Sequence, residues 1–221
     1  KLNETKMYYN LKLNEILDNI SEPRHAAMLA VSLTKIICSS QVKTSDDVLF
    51  FDNCNLLINK LSNDILTSKM GLRNLHHQEI AVIAVSFSRC FMYLQQQNNI
   101  VQNIEHHDAL TMFFKKLSFD LQGRLCDMPS MSVCVIAKAF SQLKCMNQDN
   151  NLVSFTFSED IVNLALDVLI EKNCTINNGM NREDRDMIFR AASNVGLSKD
   201  VRVMKLCGKK EIPVVEKVVY P

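Results

Sequence analysis

The sequence predicts an all-α protein, specifically an α-solenoid of about four helix-pair repeats with a period near 53 residues. Apolar residues recur with helical spacing rather than strict alternation, and one segment recurs four times without a gap. The 221 residues include only 5 Gly and 4 Pro, too few for a loop-rich β-sandwich or a Rossmann unit. Stacked helix pairs that bury their faces against neighbouring pairs form a solenoid, and a compact helical bundle is the alternative architecture.

The first helix of each repeat is predicted from four segments that align on a hydroxyl residue. Residues five, four and one before this hydroxyl, and two after it, are mainly apolar and trace one helical face. Small residues in these columns allow a neighbouring helix to approach closely. The segments begin at Arg24, Gln78, Met131 and Glu183, and their hydroxyls are Thr34, Ser88, Ser141 and Ser193, at spacings of 54, 53 and 52.

A second helix is predicted after each first helix, over residues 50–66, 105–121 and 158–172, with a shorter one from Lys199. Ser158 is the predicted N-cap of the third, and residues 10–20 resemble a second helix without its own first helix. Polar segments 39–47, 95–103 and 146–151 are predicted connections. We expect one domain over 1–221, with a partial leading helix at 1–22, repeats at 23–74, 75–127, 128–179 and 180–212, and a tail at 213–221.

The chain carries no catalytic signature. No Gly-rich phosphate loop, nucleophile elbow or zinc-ligand spacing occurs, so we expect no enzyme, no cofactor, no metal site and no small-molecule substrate. The pairs His76-His77 and His106-His107 are predicted helix caps or surface residues, because adjacent helical residues diverge by about 100°. The 8 cysteines are dispersed and predicted to be buried, reduced thiols in a reducing compartment. No apolar run reaches the length of a membrane span.

The end of the repeated first helix resembles a known repeat family. Ala137, Phe140, Ser141 and Leu143 form an Ala-x-x-Phe-Ser-x-Leu phrase that the second repeat largely shares. This phrase resembles the octotricopeptide and heptatricopeptide (RAP-associated) repeat families over residues 23–212. The resemblance implies an organellar RNA-binding protein of the apicomplexan mitochondrial type, located in the mitochondrial matrix, with ribosomal RNA and neighbouring ribosomal proteins as partners. The period here is longer than the family's unit, and no RAP-type domain is visible.

Two columns of the first helix carry cations that could contact RNA phosphates. The residue after the hydroxyl is Lys35, Arg89, Gln142 or Asn194, and the residue three before it is Val31, Val85, Lys138 or Arg190. A solvated helix face is the alternative interpretation. Together with a basic C-terminal cluster, the candidate RNA-contact residues are Lys35, Arg89, Lys138, Lys144, Arg190, Lys199, Arg202, Lys205, Lys209 and Lys210.

The charge balance limits this RNA contact. With 25 Lys+Arg against 24 Asp+Glu, the formal net charge is +1, which excludes a wholly basic RNA-coating protein. Phe87, Phe113 and Phe140 lie in apolar columns and are predicted core residues rather than stacking platforms. The sequence therefore predicts a structural subunit that contacts RNA along one edge. The alternative is a protein-protein scaffold in another mitochondrial or cytosolic complex without RNA contact.

Overall fold

The structure is a computed structural model that describes residues 15, 22–39, 56–63, 65–66, 71–98, 108–146, 157–175 and 180–208. Within these ranges every regular element is helical, which confirms the predicted all-α class for this part of the chain. None of the described helices is long and apolar enough to span a membrane. Of the predicted leading helix 10–20, only Glu15 is described, and it is helical.

The four predicted first helices and their partners are all present as helices. The first helices are α1, α4, α6 and α8, and the second helices are α2, α5, α7 and α9. The bounds are α1 Pro23–Ser39, α2 over 56–63 and 65–66, α3 Gly71–Asn74, α4 His77–Asn98, α5 Asp108–Gln122, a 3-10 turn Leu125–Asp127, α6 Ser130–Met146, α7 Phe157–Thr175, α8 Arg182–Asn194 and α9 Val201–Cys207.

Successive first helices pack on one another, and so do the successive second helices from α5 onward. Helix α1 packs on α4, α4 on α6 and α6 on α8; we call these four helices the first layer. Helix α5 packs on α7 and α7 on α9, and these three helices form the second layer. Helix α6 also packs extensively on α7. Each described helix therefore buries its apolar face against adjacent helices rather than against one central element.

A chain of phenylalanine rings joins the two layers. Successive rings meet edge to face, at centroid distances of 4.9, 5.3, 5.5 and 6.1 Å. Such ring pairs stabilise a core beyond simple area burial, by about 0.5–1.5 kcal/mol each. The predicted core positions of Phe87, Phe113 and Phe140 are confirmed. In order, the rings belong to Phe87 of α4, Phe113 and Phe114 of α5, Phe140 of α6 and Phe157 of α7.

Local capping groups set the ends of the last two helices. The Asn181 side chain accepts a hydrogen bond from the backbone N–H of Asp184 at 2.7 Å, at the start of α8. Asp200 caps α9 in the same manner by accepting from the N–H of Arg202 at 2.8 Å. Helix α8 ends at Asn194, and Gly196, just beyond its C-cap Val195, has a φ of 84° in the left-handed region that suits glycine. These signals explain why the fourth helix pair is short and tightly turned.

Two predictions about helix ends are wrong. Helix α7 begins at Phe157, so Ser158 lies inside the first turn and is not its N-cap. The Ser158 hydroxyl is buried and has no hydrogen-bond partner, because the side chain points into the core instead of toward the helix end. Residues 95–98 of the predicted connection 95–103 are helical, since α4 continues to Asn98.

The cysteines are only partly buried. Cys90 and Cys134 lie in the core, and burial raises the pKa of the Cys90 thiol to about 12. Cys38 and Cys126 are exposed, so the prediction that all eight thiols are buried is wrong for these two. Free thiols are found at Cys38, Cys90, Cys126, Cys134 and Cys207.

Candidate nucleic-acid interface

Three candidate cations come together on consecutive helices of the first layer. Arg89 lies on α4, Lys138 on α6 and Arg190 on α8, and we call these three residues the basic row. Arg89 and Arg190 are exposed, whereas Lys138 is half-buried. Burial lowers the pKa of Lys138, and the positive charges of Arg89 and Arg190 lower it further. The central ammonium group is therefore close enough to both guanidinium groups to be repelled by them.

Helical periodicity explains why the basic row draws on two sequence columns. The column after the hydroxyl and the column three before it are four residues apart, so they occupy one face of each helix. Arg89 comes from the first column, and Lys138 and Arg190 come from the second. Packed helices lie about 8–10 Å apart, so the basic row extends over roughly 16–20 Å across the first layer.

The two remaining polar residues of the first column have a structural role. Ser88 Oγ and Gln142 Oε1 lie 3.2 Å apart in a hydrogen bond between α4 and α6. Asn194 Nδ2 donates to Ser141 Oγ at 3.3 Å, which links α8 to α6. These two amides contact hydroxyls of the preceding first helix, so they link the helices of the first layer.

The charge of the basic row is not neutralised within the described part of the chain. No carboxylate there forms an ion pair with Arg89, Lys138 or Arg190. Burying Lys138 between two like charges is unfavourable, and an anion bound over the row would relieve the repulsion. The row thus has the charge and the extended shape to contact a polyanion.

Two other candidate cations are engaged inside the protein. Lys144, at the end of α6, forms an ion pair with Glu159 at the start of α7. Arg202 of α9 lies 2.7 Å from Asp200 and 2.8 Å from Asp167 of α7. The hydrogen bonds that Arg202 donates to Asp200, and then to Asp167, raise the pKa of its guanidinium group, which remains cationic. These two residues hold neighbouring helices together, and their charge is largely compensated.

The other predicted contact residues are dispersed. Lys35 is exposed on α1, at the position that corresponds to Arg89 on α4. Lys199 and Lys205 are exposed beside or on α9, without a carboxylate partner among the described residues. Lys209 and Lys210 lie outside the described residues.

One group of exposed residues was missed by the sequence reasoning. Lys115, Lys116 and Phe119 lie on the solvent side of α5, and Phe119 is 78% exposed. The signal was present in the sequence, because Phe119 falls opposite the apolar stripe that contains Phe113 and Leu117. With Met112, these residues form what we call the α5 face.

The histidines show no sign of metal binding in the described region. The His76 and His77 rings lie 4.4 Å apart, and the backbone N–H of His76 donates to Glu79 Oε2 at 2.8 Å, which caps α4. Among the described residues, no three His, Cys, Asp or Glu side chains are grouped closely enough to hold a metal ion. The second pair, His106-His107, lies outside the described residues.

Compared with known proteins, the chain matches no protein-family model, no curated protein and no solved structure. The function of this all-helical protein therefore has to be inferred from its own residues and their arrangement.

Proposed function

We propose that this protein is a non-enzymatic helical-repeat subunit of an organellar ribonucleoprotein, and that it contacts RNA phosphates through the basic row. The observation that carries this proposal is the placement of Arg89, Lys138 and Arg190 on three successive helices of the first layer, without a carboxylate partner among the described residues. Lysine and arginine side chains that neutralise phosphates supply most of the sequence-independent affinity for nucleic acids.

Contacts between successive first helices support an α-solenoid with a period near 53 residues. Side-chain hydrogen bonds join residues of adjacent first helices at nearly constant sequence offsets, as expected when equivalent positions of neighbouring repeats touch. The offsets are 52 between Thr34 and Ser86, 56 between Thr34 and Cys90, 54 between Ser88 and Gln142, and 53 between Ser141 and Asn194.

The resemblance to octotricopeptide and heptatricopeptide repeats suggests the assembly. We propose the mitochondrial ribosome, with ribosomal RNA and neighbouring ribosomal proteins as partners in the mitochondrial matrix. The near-neutral formal charge of +1 supports a subunit that meets RNA over a limited surface and has the rest available for protein contacts.

RNA binding by the purified chain tests the proposal. Fluorescence anisotropy with labelled single-stranded oligouridylate and a labelled RNA hairpin, at 50 mM salt, measures the affinity. We expect the wild type to bind and the triple variant Arg89→Gln/Lys138→Gln/Arg190→Gln to bind at least about tenfold more weakly, because three phosphate contacts are lost. Glutamine retains a polar side chain of similar length, and circular dichroism verifies that the variant is folded.

A matched control separates a local site from the effect of total charge. Arg24, Arg73 and Arg182 are also exposed, and replacing all three with Gln lowers the formal charge by the same amount. This control variant is expected to bind RNA nearly as well as the wild type. Equal losses in both variants, or a wild type that does not bind at low salt, would refute the proposed site.

A protein scaffold without RNA contact is the second candidate function. It is favoured by a shallow, mainly apolar cleft of about 350 Å³ between α1 and α4. Its walls include Met28, Val31 and Val82, of which Met28 is 61% exposed. This function predicts that neither RNA binds at 50 mM salt, so the same titration distinguishes the two candidates.

A further inference from the structure

Helix α5 exposes the aromatic ring of Phe119 to solvent. The other described phenylalanines of the second layer are largely buried. Phe119 is 78% exposed, whereas Phe113 and Phe114 on the same helix are 1% and 0% exposed. One exposed apolar residue is ordinary in a folded protein. The neighbours of Phe119 are what distinguish this position.

Helix geometry groups Phe119 with two lysines. Lys115 and Lys116 precede it by four and three residues, so the three side chains share one face of α5. At about 100° per residue, this face points opposite the buried residues Phe114 and Leu117. The ring contact of Phe114 with Phe140 of α6, at a centroid distance of 5.5 Å, turns the buried face toward the first layer. The exposed face therefore looks away from the first layer and from the basic row.

The positive charge of this face is available to a ligand. Asp120 lies four residues after Lys116, but its carboxylate pairs with Arg124 at 2.9 Å. Arg124 is held in place because it also donates to the backbone carbonyl of Leu72 at 2.8 Å. Neither Lys115 nor Lys116 forms an ion pair with a carboxylate among the described residues.

We propose that the α5 face binds single-stranded RNA, with a base stacked on Phe119 and the flanking phosphates in contact with Lys115 and Lys116. Single-strand binding sites combine a cationic track with aromatic rings, and stacking tolerates any base. The choice of RNA as the ligand rests on the proposed function, to which this site adds a second contact on the opposite side of the protein. The chain then bridges two RNA segments, one at the basic row and one at α5.

The composition of the face favours a nucleic acid over a lipid surface. A helix that lies in a membrane interface buries a broad apolar face, but the broad apolar face of α5 is already in the core. The α5 face is narrower, because it carries only two apolar residues, Met112 and Phe119, beside its two lysines. This arrangement matches one stacked base and its adjoining phosphates.

A single tryptophan tests stacking directly. The natural sequence contains no Trp, so the variant Phe119→Trp carries the only tryptophan fluorophore. Oligouridylate is expected to quench its emission, whereas an abasic ribose-phosphate oligomer of equal length is expected to bind without comparable quenching. In parallel, Phe119→Ala is expected to weaken oligouridylate binding to the α5 face about 5-fold to 150-fold.

Two further variants serve as controls. Met131→Trp places the fluorophore at a position that is 65% exposed but has no lysine or arginine within one helical turn, and its emission should not change with RNA. Lys115→Gln/Lys116→Gln in the Phe119→Trp background should shift the quenching curve to higher concentrations of oligouridylate. All substituted side chains are exposed, so the fold should be retained, and thermal melts verify this.

The outcomes separate this site from the basic row. Quenching that persists in the Arg89→Gln/Lys138→Gln/Arg190→Gln background supports the α5 site even if the basic row proves inactive. Binding that depends on the basic row without quenching of Phe119→Trp overturns the α5 site and leaves the proposed function intact. A blue shift with vesicles of phosphatidylserine and phosphatidylcholine, together with no response to RNA, overturns it in favour of a lipid surface.

Discussion

Replacing the three cations of the basic row is expected to change the salt dependence of RNA binding by a calculable amount. Each neutralised phosphate of a single strand contributes about −0.7 to the slope of log affinity against log salt. Because Arg89, Lys138 and Arg190 have no carboxylate partner among the described residues, each is counted as one phosphate contact. The triple glutamine variant should therefore have a slope shallower by about 2.

The slope is measured by repeating the anisotropy titration with oligouridylate at several salt concentrations between about 50 and 200 mM. A contribution of about −2 corresponds to a loss of about 20-fold in affinity over that range. The wild type should lose at least this much affinity over the range. The triple variant should lose only the affinity that depends on its other cations. The α5 face is the same in both proteins, so any contribution that it makes to the slope cancels when the two slopes are compared.

An unchanged slope in the triple variant would refute the reasoning, even if its affinity were reduced. It would mean that the three side chains do not displace counterions from RNA, and that any loss of affinity arises from a changed fold. A change of equal size in the Arg24→Gln/Arg73→Gln/Arg182→Gln control would be equally damaging, because the effect would then follow total charge. Lys144→Gln should leave the slope nearly unchanged, since Lys144 is already paired with Glu159.

Three further predictions concern the fold. Phe140→Ala removes a fully buried ring that contacts Phe114 and Phe157, and should lower the free energy of unfolding in urea by about 3–5 kcal/mol. Ser158→Ala should leave that free energy unchanged or raise it by up to about 1 kcal/mol, because its buried hydroxyl has no partner. Asp184→Asn should stabilise the protein near pH 7, because burial, and then the charge of Glu183, raise the pKa of the Asp184 carboxyl in the folded state.

The sign of the Asp184 effect follows from proton linkage. The folded protein holds this proton more tightly than the unfolded chain, so wild-type stability falls as pH rises from the ordinary carboxyl pKa of 3.8 through the raised folded value. The advantage of Asp184→Asn should therefore vanish as the pH is lowered to about 4 or below. An advantage that grows on acidification would contradict this account.

The other two predictions have equally clear contrary results. A loss of about 1 kcal/mol in Ser158→Ala would mean that Ser158 caps α7 after all. A loss below about 1 kcal/mol in Phe140→Ala would mean that the ring does not join the two layers. Phe119→Ala is a useful comparison for Phe140, because its exposed ring should contribute little to stability.

Much of the helical framework could be predicted from the sequence, since it follows from local periodicity. The aligned segments at Arg24, Gln78, Met131 and Glu183 correspond to α1, α4, α6 and α8 within a few residues. Apolar residues at helical spacing determine which face is buried, whatever the neighbouring helix is. Helix ends were predicted less well, because Ser158 has a capping residue type but its orientation is determined by packing in the core.

The availability of individual cations was decided only by the tertiary structure. Lys144 is as basic in sequence as Arg89 and Lys138, but its carboxylate partner Glu159 lies 15 residues away along the chain. Arg202 has a local partner in Asp200, whereas its second partner Asp167 lies 35 residues away. Periodicity describes one helix at a time, whereas an ion pair between helices depends on how two helices pack. The sequence by itself thus determined the helices and their buried faces. The packing of the helices decided which cations remain available to a binding partner, because a cation is neutralised by the carboxylates that lie next to it in the folded protein.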